Sequence, residues 1–155
     1  MAWDGEQSGD PIEILLVEPN SGDARLFAES FKDAKLLNTL HTVSDGESAL
    51  EFCGHGDAAE GDHSRCPDLI LLEPKLSETT GEDVISELNA EPELADVPVV
   101  VLTSSEVEEE IVKSRGLEAD YYLQKPIGPD EFLEFTRLVE EFWLAIVQQP
   151  IVDET

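Results

Sequence analysis

Four apolar runs of this 155-residue chain end in side chains that can do chemistry. Glu18 follows Ile12-Glu13-Ile14-Leu15-Leu16-Val17, and Glu73 follows Asp68-Leu69-Ile70-Leu71-Leu72. Thr103-Ser104 follows Val97 to Leu102, and Lys125-Pro126 follows Asp120-Tyr121-Tyr122-Leu123-Gln124. Open α/β sheets place their chemistry at the C-terminal ends of their strands. Two acids, a hydroxyl and a lysine therefore converge on one edge of a parallel sheet.

The rest of the chain supplies the elements that would hold them there. The turn Glu18-Pro19-Asn20-Ser21-Gly22, with Ser21 or Asp23 as helix cap, leads into a helix over about Gly22–Ala34 that carries Leu26, Phe27 and Phe31 at helical spacing. Thr39–Val43 reads as a strand, Ser44-Asp45-Gly46 as a turn and cap, and Ala49, Leu50 and Phe52 as one helix face. Cys53 to Pro67, with Gly54, Gly56, Gly61 and scattered Asp, reads as a loop. A third helix spans about Gly81–Asn89. Val97–Leu102 is apolar on both faces, as a central parallel strand should be. A fourth helix runs over Glu106–Arg115 with Gly116 as its stop, and Pro129 opens the last one. Five strand-helix units in series predict a doubly wound, flavodoxin-like α/β sheet of order 2-1-3-4-5, with helices on both faces. The chain divides into an acidic tail (1–10), one domain (11–148) and a C-terminal tail (149–155), with no internal repeat.

Together these residues resemble the response-regulator receiver family. The resemblance rests on Ile14-Leu15-Leu16-Val17-Glu18, Val43-Ser44-Asp45-Gly46-Glu47-Ser48-Ala49-Leu50, Pro67-Asp68-Leu69-Ile70-Leu71-Leu72-Glu73, Val99-Val100-Val101-Leu102-Thr103-Ser104-Ser105 and Leu123-Gln124-Lys125-Pro126. The ending Glu140-Glu141-Phe142-Trp143-Leu144 looks like single-domain regulators of the kind paired with bacterial phytochromes. The resemblance implies a non-enzymatic signalling module of a two-component phosphorelay, a sensor histidine kinase or other signalling protein as partner, a hydroxyl at Thr103, a lysine at Lys125 and a switch aromatic at Tyr122.

The departures bear on chemistry. The family holds a divalent metal with two adjacent acids after its first strand; here they are Glu18 and Pro19, and proline has no side-chain oxygen. Glu73 stands where the family has its phosphate-accepting Asp. Lys75 occupies a position that normally gives the metal a carbonyl, and Ser77 replaces a proline, while Gly81 is kept. Phosphoryl transfer is almost entirely positioning and charge neutralisation. Glu73 is one methylene longer than Asp, and a displacement of about 1 Å can cost about a hundredfold in rate. Magnesium usually sits on one or two carboxylates plus phosphate, so Glu18 and Glu73 leave a poor site. The expectation is a degenerate receiver that is not phosphorylated and needs no cofactor. In one reading Glu73 reaches Lys125 and Thr103 and partly mimics a phosphoaspartate; in the other it pairs with Lys125 or Lys75 in a static relic. Two alternatives differ: a magnesium-dependent receiver that tolerates the changes, and a flavodoxin-like small-molecule binder, against which the acids Glu18 and Asp23 would repel a cofactor phosphate.

Other features carry weaker signals. Cys53, His55, His63 and Cys66 are a zinc-competent set, but their spacing is irregular, and a plain surface loop with Cys53 as a small core hydrophobe is the simpler reading. His41 reads as a strand residue without chemistry. On the last helix Phe132, Phe135, Val139, Phe142 and Ile146 form a core stripe, and Leu133, Leu138, Trp143 and Leu144 are surplus apolar surface, which points to a homodimer through that helix.

Composition bounds the partners. With 9 Lys+Arg against 36 Asp+Glu the net charge is −27, which excludes phosphate-led nucleic-acid binding and opposes anionic membranes. Such acidity suits a halophilic, salt-screened surface or, less simply, a basic partner. No run approaches the ~20 apolar residues of a membrane span. The polar N-terminus is neither signal nor transit peptide, so the cytoplasm is the expected compartment, with both cysteines reduced.

Overall fold

A computed structural model describes residues 12–35, 37–53, 67–76, 80–91, 94–114 and 119–153. Five strands, β1 (Ile12–Val17), β2 (Asn38–Val43), β3 (Leu69–Leu72), β4 (Val99–Thr103) and β5 (Tyr121–Gln124), alternate with five helices. The helices are α1 (Ser21–Lys32), α2 (Gly46–Phe52), α3 (Gly81–Ala90), α4 (Glu106–Ser114) and α5 (Pro129–Asp153). All strand pairs are parallel, in the order β2-β1-β3-β4-β5. This is the expected doubly wound sheet.

Alternation along the strands sorts the core into two layers. Leu15, Val17, Ile70, Leu72, Val99 and Val101 face α2, α3 and α4 through Ala49, Val84, Ile85, Leu88 and Val112. Ile14, Leu16, Leu69, Leu71, Val100 and Leu102 face α1 and α5. There Phe27 of α1 meets Phe132 and Phe135 of α5 edge-on, with ring centroids 4.8 and 5.3 Å apart. Each such fully buried side chain stabilises the fold by about 1.5–3 kcal/mol relative to exposure.

Aspartates fix where two strands begin. Asp68 donates its N–H to Glu13 O and accepts from Glu13 N on Oδ2 at 2.8 Å; Asp120 makes the same pair of bonds to Val99 O and Val99 N. These carboxylates replace ladder partners that the strand starts lack. The predicted β4 (Val97–Leu102) is shifted, because Val97 N–H closes a turn onto Leu94 O and Pro98 has no N–H to pair. Thr103 consequently ends β4 inside the ladder, opposite Gln124.

The cap of α1 is Asn20, not Ser21 or Asp23: its side chain accepts from Asp23 N at 2.9 Å. Asp45 caps α2, and Thr80 with Asp83 forms a capping box on α3. α4 ends at Ser114. α5 runs to Asp153, past residue 148 where the sequence places the end of the domain.

Candidate functional site

The turns after β1, β3 and β5 bring three carboxylates onto one ammonium. Lys125 Nζ lies 2.8 Å from Glu18 Oε1, 3.0 Å from Glu73 Oε1 and 3.1 Å from Asp23 Oδ2. Glu18 and Glu73 sit directly after buried strands, each anchored by its own N–H: Glu18 to Val43 O, Glu73 to Val17 O. Lys125 is placed by its N–H to Thr103 O, at 2.7 Å. Asp23 comes from the first turn of α1, which Asn20 caps while donating its own N–H to Glu18 Oε2 at 3.1 Å.

Three acids and one cation leave this cluster with two excess negative charges. Burial by itself lowers the Lys125 pKa, but the bonds to Glu18, Glu73 and Asp23 outweigh it and hold the ammonium firmly charged, well above the ordinary 10.5. Glu18, whose side chain is 1% exposed, goes the other way. Burial raises its pKa above the usual 4.5, against the lowering effect of Lys125 and of Asn20 N–H, and the neighbouring Glu73 charge adds to the rise.

Glu73 uses both oxygens. Oε1 meets Lys125, and Oε2 accepts the N–H of Lys75 at 3.1 Å. Of the two partners expected in the mimicry reading, Lys125 is therefore in contact. Thr103 is not: it is fully buried, and its hydroxyl has no hydrogen-bond partner among the described residues. The Lys75 ammonium is turned away from Glu73, to within 3.4 Å of Glu108 Oε2, so it adds no charge at the acid cluster. Tyr122 is half-buried; its hydroxyl accepts from Ala119 N at 3.1 Å, on the approach to β5, while Lys125 leaves the strand's far end. Lys113 Nζ stands 4.7 Å from the Tyr122 ring centroid.

Pro19 is exposed and offers no side-chain oxygen, and the Glu18 and Glu73 oxygens that would face a metal instead share the Lys125 ammonium. Among the described residues no group of three or more His, Cys, Asp or Glu is arranged to hold a metal. For the zinc set, Cys53 is buried in the α2–α3 core layer, and His55, His63 and Cys66 lie outside the described residues. His41 lies in β2, with Nε2 2.6 Å from Glu13 Oε1 and its ring packed on Phe52 at 4.8 Å.

Two contributors were missed from sequence. Asp23, which the sequence offers as a helix cap, sits in the first turn of α1 and reaches Lys125 from there. Glu108, buried in α4, accepts from both the N–H and the hydroxyl of Ser104. Its signal was present as Ser105-x-x-Glu108, a capping-box spacing, and Glu108 N–H does bond Ser105 Oγ.

The sequence profile of the response regulator receiver domain matches residues 14–137. The chain belongs to the receiver family. It is 34% identical over 145 residues to the response regulator Rcp1 of Synechocystis, covering 94% of this chain and 97% of that one. A methanogenesis regulatory protein, FilR2 of Methanothrix harundinacea, is 28% identical over 144 residues, 93% of this chain and 91% of its own. Among solved structures, the phosphorylated cyanobacterial phytochrome response regulator RcpA superposes with a TM-score of 0.72 at 33% identity, over 88% of this chain and 96% of that one. The manganese-bound form of Rcp1 gives 0.70 at 33%, over 86% and 95%. The chain is thus a receiver homologous to phytochrome response regulators, and membership of this signalling family displaces the flavodoxin-like binder.

Proposed function

We propose that this receiver works in two-component signalling as a degenerate, phosphorylation-independent module. A sensor histidine kinase, or another signalling protein, is its partner. The observation that supports this is the Lys125 ammonium, which lies within ion-pair distance of Glu18, Glu73 and Asp23 and donates a hydrogen bond to Glu73 Oε1. Glu73 stands at the acceptor position with both oxygens engaged. Phosphoryl transfer needs that lysine and a metal to neutralise developing charge, and here the lysine is already neutralised. The site residues are Glu73 at the acceptor position, Thr103, Lys125 and Tyr122 as the switch set, and Glu18 as the remaining acid.

A second reading has an observation in its favour. The buried Thr103 hydroxyl at the end of β4 is a vacant donor, as a receiver that still takes phosphate with Mg²⁺ on Glu18 and Glu73 would need. One experiment separates them: amide NMR in high potassium chloride with Mg²⁺ and beryllofluoride. The degenerate reading expects no saturable shifts at Glu73, Thr103 and Lys125 in wild type, and their appearance when Asp is restored at positions 73 and 19. Saturable shifts in wild type overturn it.

The remaining readings are of partner and place. Leu133, Leu138 and Leu144 lie exposed on α5 and support a homodimer through that helix. Trp143 does not belong to this surplus, because it packs against the α1–α5 core layer. No helix among the described residues is long and apolar enough to cross a membrane. With the charge of −27, this favours a cytoplasmic, halophilic protein that binds neither nucleic acid nor membrane.

A further inference from the structure

We propose that Glu108 is a latch that ties the loop after β4 to the loop after β3 and so keeps the Thr103 hydroxyl from pairing with the acid cluster. Three observations meet at this side chain. Ser104, the residue after Thr103, gives both its N–H and its hydroxyl to Glu108 Oε1, the latter at 2.8 Å. The turn is closed from the other side by Glu108 N–H on Ser105 Oγ at 3.2 Å. The second carboxylate oxygen faces Lys75 Nζ at 3.4 Å, and the N–H of the same Lys75 is bonded to Glu73. Lys75 therefore touches the acid cluster with its backbone and the latch with its side chain.

The latch explains why Thr103 is left with a buried, unpartnered hydroxyl. Such a group is costly, and buried polar groups normally find partners. A backbone shift of Thr103 towards Glu73 would carry Ser104 with it, and Ser104 is held by two hydrogen bonds to a carboxylate, a strong class of bond. The Lys125 ammonium is already flanked by Glu18, Glu73 and Asp23. Glu108 also lies under a groove of about 660 Å³ between the β3–α3 loop and α4, bordered by Pro74, Lys75, Val107 and Ile111. Val107 and Ile111 are exposed, so the latch sets the position of an apolar ridge as well as of the hydroxyl. The inference deepens the fixed-receiver reading and rests on it for its consequence, though not for its geometry.

The test is amide hydrogen exchange and methyl NMR in high potassium chloride on wild type, Glu108→Ala, Ser104→Ala and Lys75→Met. In Glu108→Ala, exchange at Ser104 and Ser105 is expected to rise roughly tenfold to a hundredfold, with the Thr103 and Ile111 methyl signals moving. A merely structural Glu108 would not move Thr103. Unchanged exchange in folded Glu108→Ala, or faster exchange with Thr103 unmoved, overturns the latch. Lys75 is 73% exposed, so Lys75→Met keeps the test alive if Glu108→Ala does not fold: about threefold faster exchange at Ser104 is expected, and no change overturns it. Beryllofluoride shifts in wild type would sink the fixed-receiver reading while leaving these exchange results intact.

Discussion

At the scale of residues, the cluster is held by one cation shared among three acids, so its members are unequal. Lys125→Met leaves Glu18 and Glu73 buried together without a counter-charge and is expected to cost about 3 kcal/mol, whereas Glu73→Gln, which keeps an acceptor, should cost under about 1 kcal/mol. Denaturant titrations in concentrated potassium chloride measure both, and the double variant should recover part of the first loss. A larger loss in Glu73→Gln than in Lys125→Met would refute this ordering. Glu108 gives a pH signature. Burial alone would raise its carboxyl, but Ser104 N–H, the Ser104 hydroxyl and the Lys75 charge outweigh burial and hold it below the ordinary 4.5. Its folded pKa is depressed, so its contribution is present above the unfolded value and is lost as pH falls through the folded one. The stability gap between wild type and Glu108→Gln should therefore be full at neutral pH, begin to shrink as pH falls below the ordinary 4.5, and close only below the lower folded value. A gap independent of pH would show that the charge does not matter.

At the scale of elements, α5 divides its work between two sides. Phe132→Ala removes a ring locked against Phe27 and should cost about 3–5 kcal/mol by thermal or chemical unfolding. Leu133, Leu138 and Leu144 are exposed, so changing all three to Gln should alter monomer stability by under about 1 kcal/mol. Sedimentation should then show a dimer in wild type and a monomer in the triple variant; a wild-type monomer would end the dimer proposal. The elements were the most legible part of the sequence, because Val/Ile/Leu runs and helical spacing are local signals that tertiary packing reinforced at β1, β3 and β4. The strand-end acids Glu18 and Glu73 and the lysine Lys125 were legible for the same reason: their placement follows from strand direction alone. What sequence spacing hides is where a flexible side chain turns once it has a choice of partners. Lys75 chose Glu108 over Glu73, Asp23 turned to Lys125 while Asn20 took the cap, and Trp143 folded onto its own core. Each choice depends on residues far away in sequence that no local period reports.

At the scale of the whole molecule, charge dominates. A chain of −27 repels itself, and screening shortens that repulsion to about 3 Å at 1 M salt. The unfolding midpoint should climb steadily from about 0.1 M to about 2 M potassium chloride, as followed by calorimetry or circular dichroism. The buried Glu18–Lys125 pair is screened far less than surface charge, so Lys125→Met should remain destabilising at the top of that range. A midpoint indifferent to salt would mean that the acidity serves a basic partner rather than the solvent.

The paired bonds between Asp68 and Glu13 have a consequence for protein engineering. They set the start of β3 at the end of the sheet opposite the acid cluster, so Glu73 inherits its position from Asp68 and not from the chain before it. Grafting a longer segment between Cys53 and Pro67 should therefore leave the Glu73–Lys125 contact in register.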